Sequence, residues 1–109
     1  MDNTGFTKEE AIDVREDFED LEGTKFRDDH LGLCKISAVV VAPSGHHDFL
    51  QFLRWYESAV GEDWSSFAYD GPGYDVYILF RSLEEEGGLK YIAIRDYIDT
   101  MGINYTFKF

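Results

Sequence analysis

The sequence predicts one α+β domain over residues 1–109, a four-stranded, mostly antiparallel sheet packed with helices in the order α-β-α-β-β-α-β. Three observations carry that expectation. Apolar residues recur with a helical period in three segments, and they alternate or run continuously in four others. The chain has 109 residues, the size of one domain, and shows no internal repeat, low-complexity stretch or linker. Hydrophobic residues make up 44% and aromatics 17%, so a core can form without disulfides or a structural metal.

The first helix is expected over residues 7–21. Thr7 and Glu10 have capping-box spacing, and Ala11, Val14, Phe18 and Leu21 form the buried stripe, with Gly23 just past the end. A polar stretch follows, with a short extended piece at Lys25 and Phe26. Residues 33–42 are rich in β-branched side chains and stop at Pro43; both alternate sets are apolar (Ile36, Ala38, Val40 and Val39, Val41), which predicts a strand covered on both faces. Ser44 or Asp48 is placed to cap a second helix over residues 47–60, whose apolar face is Phe49, Phe52, Leu53, Tyr56 and Val60 and which Gly61 ends. Residues 62–73 read as a long loop. Residues 74–82 alternate as a strand and return through a polar connection, Glu84 to Gly88, into a strand over 89–93. At Ile94 the period changes to helical and runs to Met101, with Gly102 as the stop. Residues 103–109 alternate again, Ile103, Tyr105, Phe107 and Phe109 on one side, the pattern of a strand with one wet face.

Charge bounds the partners. Ten Lys and Arg face 22 Asp and Glu, a net −12. Such a surface repels nucleic acid and anionic lipid and attracts basic surfaces, so the expected partner is a basic protein, with no direct nucleic acid and no membrane. Acidity also serves plain solubility, and that simpler reading stands beside it. One cysteine, Cys34, and an N-terminus without basic and apolar signal regions point to a cytoplasmic location. No run approaches the roughly 20 apolar residues of a membrane helix.

Two segments stand out as surfaces. Residues 1–29 hold eleven of the 22 acids against four bases. Glu9, Asp13, Glu16 and Asp20, with Asp17 beside them, fall on the helix face away from the apolar stripe, about 5 to 6 Å apart along the axis. Phosphates on duplex DNA are comparably close. The row therefore suits the basic groove of a nucleic-acid-binding protein, or is simply the solvated face of an amphipathic helix. In the loop, Trp64, Phe67 and Tyr69 lie between acids; they are either interface anchors or rings that fold back to seal the core.

Familiar chemistry is not legible. His46, His47 and Asp48 are adjacent, and His30 and Cys34 lack a second Cys pair, so no metal site is predicted. No carboxylate stands out among 22 as a catalytic acid or base, and the glycine-rich stretch 70–75 lacks the Lys-Ser/Thr of a phosphate loop. No catalytic residue and no cofactor are expected, and the chain is read as a non-enzyme. The profile is of a type with small inhibitors and immunity proteins, a likeness of type and not of residues. It leads to an expected role in antagonising a basic partner, as phage anti-defence and immunity proteins do. The alternatives are a small-ligand or enzymatic domain with the 62–73 loop as a lid, and a structural subunit that pairs through its C-terminal strand.

Overall fold

The computed structural model describes residues 5–59, 63–69, 71 and 73–107. The expected helix end at Val60 and Gly61, loop positions Asp70 and Pro72, and Phe109 lie outside these residues. Strands β1 (Lys25–Asp28), β2 (Gly32–Pro43), β3 (Tyr74–Ser82) and β4 (Lys90–Ala93) form one sheet in that spatial order, every pair antiparallel. Helix α1 (Lys8–Phe18) runs on as a 3₁₀ turn over Glu19–Leu21, α2 spans His46–Ser58, and α3 spans Ile94–Met101. The α+β class and the four-stranded antiparallel sheet are as the sequence predicts.

The sheet is buried on both faces. Ala11, Val14 and Phe18 of α1 and Ile94, Tyr97 and Ile98 of α3 meet Cys34, Ile36, Val39, Val41, Val76, Ile78 and Phe80. On the other face Phe49 and Phe52 of α2 meet Ala38, Val40, Ala42, Tyr77 and Leu79. A two-sided core explains why both alternate sets of β2 are apolar. The sets themselves are grouped differently from the strict alternation expected. The register steps from Ile36 opposite Phe80 to Ala38 opposite Leu79, so Ser37 is an extra, bulged residue. The bulge swaps the faces, and Ile36 shares its side with Val39 and Val41 rather than with Ala38 and Val40.

The element order differs from expectation at two places and reads α-β-β-α-β-β-α. Lys25–Asp28, foreseen only as a short extended piece, is a full edge strand on β2; Asp28 closes its turn by accepting from the His30 and Leu31 amides at 2.8 and 2.9 Å. The C-terminal residues 103–107 are not a strand. Gly102 takes a left-handed φ of 66°, which redirects the chain off α3 and back over the helix layer. There the Tyr105 ring lies 4.8 Å from Phe18 and the Phe107 ring 5.5 Å from Phe6. Alternation correctly reports one buried side (Ile103, Tyr105 and Phe107 are half-buried), but it reports burial and not backbone pairing. Residues 103–107 therefore supply none of the sheet edge expected of this segment for pairing with a second copy.

One edge of the sheet needs a special solution. β1 pairs with β2 only as far as Lys35, and Gly23 and Thr24 add hydrogen bonds to Ile36 at 2.9 and 2.8 Å. Beyond that, side chains take the place of a strand. The Val39 amide donates to the Glu22 carboxylate at 3.0 Å, and the Arg15 guanidinium donates to the Val39 carbonyl at 2.6 Å. Arg15 also pairs with Glu19 at 3.1 Å and with Glu22 at 3.5 Å. Its side chain is only 18% exposed, so its guanidinium is largely shielded between the strand edge and the two carboxylates. Arg15→Ala strips a charge-assisted hydrogen bond from a buried carbonyl and should cost about 2 to 3 kcal/mol. We expect a lower urea midpoint at unchanged slope and faster hydrogen exchange at the Val39 amide. A midpoint equal to that of the parent would show that the edge does not need this contact.

Candidate functional site

The acidic surface is built by the way α1 is started and turned. Thr7 accepts from the Glu10 amide at 3.1 Å while Glu10 accepts from the Thr7 amide at 3.0 Å, the expected capping box. With Ala11, Val14 and Phe18 pressed on the sheet, Glu9, Asp13, Glu16, Asp17 and Asp20 are all exposed. Within residues 8–22 the other acids are committed, Glu10 to the cap and Glu19 and Glu22 to Arg15. Asp17 accepts from the Tyr105 hydroxyl at 2.8 Å. Among the described residues Glu9, Asp13, Glu16 and Asp20 have no ion-pair partner. Like charges at i, i+3 and i+4 each oppose the helix by a few tenths of a kcal/mol, at most about 0.5. The packed stripe offsets that.

The loop aromatics fold onto the domain. Asp63 accepts from the Ser65 amide at 3.1 Å and starts a 3₁₀ turn, Trp64–Ser66; that bond holds its carboxyl below the ordinary range. Trp64 touches both cores and carries the Arg15 guanidinium 5.4 Å from its ring centre. Phe67 lies 5.2 Å from Phe52 and 5.3 Å from Trp55. Tyr69 stands edge-on to Tyr74 at 5.3 Å, and the Tyr74 hydroxyl donates to its carbonyl at 2.9 Å. Gly71 fits under Tyr69 because any Cβ there would collide with the phenol. Each of Trp64, Phe67 and Tyr69 is half-buried. Among the described residues no hydrogen bond or ion pair joins the five carboxylates to these rings. Arg15, on the same helix as the acids, reaches the loop through its contact with Trp64.

Between α2 and this loop runs an open groove of about 420 Å³, lined by Asp48, Gln51, Trp55, Ser66, Phe67, Ala68 and Tyr69. Sequence reasoning missed the helix side of it. Asp48, Gln51 and Trp55 recur at i, i+3, i+7, a row beside the buried stripe that the apolar pattern alone does not mark.

No family model, curated protein or solved structure matches the chain. Its surfaces must be interpreted on their own chemistry. His30, His46 and His47 are exposed, whereas Cys34 lies in the core, where burial pushes its thiol up. Among the described residues no three His, Cys, Asp or Glu gather as metal ligands, and no helix is long and apolar enough to cross a membrane. Asp75, at the start of β3, is the one carboxylate there that is pushed up, by burial, against the Val76 amide and Arg95, which lower it.

Tyr105 gives the site a pH signature. Its phenol is pushed up to about 12, by burial first and then by Asp17. The fold thus favours the neutral phenol over the unfolded chain, whose tyrosines titrate near about 10. This contribution is complete below pH of about 10 and is lost as pH rises towards about 12. Urea titrations in that window should show the parent losing more stability than Tyr105→Phe. Parallel losses would mean that the Tyr105–Asp17 contact is not formed in solution.

Proposed function

We propose that this chain is a small acidic binding protein that antagonises a basic protein partner, including one that itself binds nucleic acid, after the manner of phage anti-defence or immunity proteins. The supporting observation is the outer face of α1 and of the 3₁₀ turn that continues it. Among the described residues Glu9, Asp13, Glu16 and Asp20 stand exposed without an ion-pair partner, Asp17 adjoins them, and Arg15 of the same helix is turned to the strand edge. Like charges at this spacing each oppose the helix by a few tenths of a kcal/mol, a cost that suits a row kept for a cationic partner. The spacing of about 4.5 to 6 Å along the axis lets the row stand in for nucleic-acid charge. In this reading the protein works by occupying a surface and carries out no chemistry, in a cytoplasmic setting.

The test is capture from the native host with tagged protein at low and high salt. A basic protein should be retained and then released as salt rises through a few hundred millimolar, where screening shortens to roughly 4 to 6 Å. Asp13→Lys with Glu16→Lys should weaken the complex severalfold and leave the unfolding free energy within about 0.5 kcal/mol of the parent. Undiminished binding by this double variant would sink the acidic-helix reading.

A second reading is favoured by the groove, which lies against residues 66–69 of the segment expected to act as a lid. On that reading the domain holds a small ligand. Trp55 lines the groove and Trp64 sits in the same loop, so indole fluorescence should respond to nucleotides or metabolites. A silent response across a broad panel counts against it.

A further inference from the structure

We infer that the groove between α2 and residues 66–69 receives the side chain of an arginine on the protein partner, stacked on its aromatic wall and faced by the Asp48 carboxylate. The inference deepens the reading above, since the cation comes from the same basic partner, but it concerns a different surface.

Four observations support it. The wall is aromatic and held from behind. Trp55 and Phe67 meet at 57° with centres 5.3 Å apart, and both back onto Phe52 at 5.6 and 5.2 Å. The cleft behind the loop, lined by Phe52, Trp64 and Phe67, holds only about 20 Å³, room for little more than a water, so it offers the rings little space to move inward. The carboxylate is on site: Asp48 lines the groove, and the Tyr69 phenol, raised first by burial, is raised next by the Asp48 charge. Arg54, the arginine of α2, is not among the groove's lining residues; it lines a neighbouring depression with His47, Leu50 and Gln51.

The third observation is how this chain treats its own arginines. Arg15 stacks over Trp64 of the same loop at 5.4 Å, and Arg95 lies 4.3 Å from the Phe6 ring and 4.9 Å from Phe107. Aromatic faces in a strongly acidic molecule are good places for a guanidinium, which is planar, weakly hydrated and attracted by the ring quadrupole. The fourth is charge complementarity. At −12 the whole molecule draws cations toward it, and this groove pairs a carboxylate with exposed ring surface. A neutral apolar side chain would leave Asp48 partly desolvated and unpaired, which costs free energy.

The probe is N-acetyl-arginine N-methylamide titrated into the whole protein, followed by the indole N–H resonance of Trp55, which Trp55→Phe assigns. The Trp64 indole, already under Arg15, is the internal control. We expect a saturable shift of the Trp55 signal in the millimolar range, little movement at Trp64, and at least a tenfold weaker response to the citrulline analogue, a near isostere without charge. Asp48→Asn should weaken the arginine probe by about two- to fivefold, the size of one exposed charge contact. Absence of a saturable shift, or an equal response to citrulline, overturns the inference. The Asp13→Lys, Glu16→Lys double variant should titrate like the parent. The two surfaces can therefore fail separately: loss of the arginine response with salt-sensitive capture intact removes only the groove, and the reverse removes only the helix.

Discussion

The unpaired edge of β2 is the constraint from which the rest of the structure follows. β2 has twelve residues and β1 only four, so most of one side of the longest strand lacks a neighbouring strand. Buried backbone groups must find partners, and at Val39 they find Glu22 for the amide and Arg15 for the carbonyl. This demand sets the pose of α1. Once Arg15 must reach the strand while Ala11, Val14 and Phe18 pack on the sheet, the opposite face of the helix can only be Glu9, Asp13, Glu16 and Asp20. Arg15 also lies over Trp64 and so helps place the loop that forms one wall of the groove. An edge problem in the sheet thereby positions both candidate surfaces.

Much of this was legible in the sequence. The capping box of Thr7 and Glu10, the strand over residues 74–82 and the helix from Ile94 to Met101 with its Gly102 stop all depend on local signals, and each appears where expected. The places where reasoning fell short depend on tertiary partners. Nothing at Ser37 announces a bulge, because both faces of β2 are apolar and either grouping of its side chains looks acceptable. Lys25–Asp28 and residues 103–107 compete for the same description, an alternating extended piece. What decides between them is that β2 offers a register partner to the first, while Phe6 and Phe18 offer aromatic partners to the second.

The site divides along the same line. Exposure of the α1 acids could be read from helical period, because burial of one face dictates the other. The groove could not, because it brings together residues 48–55 and 66–69 from two elements whose packing sets the gap between them. Asp75 is a similar case. It sits in a strand whose alternation identifies Tyr77 and Leu79 as core, yet only the folded chain shows that this carboxylate is shielded enough for burial to outweigh Arg95.

On the proposed reading the two surfaces work over different ranges. A row of carboxylates acts through a field that, at physiological salt, decays over about 8 Å, and it rewards any cationic surface of the right extent. It speeds encounter and sets the salt dependence, but discriminates poorly among basic partners. An aromatic groove with one carboxylate acts only on contact, within about 6 Å of a ring, and rewards one planar cation in one place. A protein carrying only the first would bind basic proteins at large. The groove's rigid backing by Phe52 supplies the selectivity that charge alone lacks, because a partner must bring its arginine to a pocket already formed.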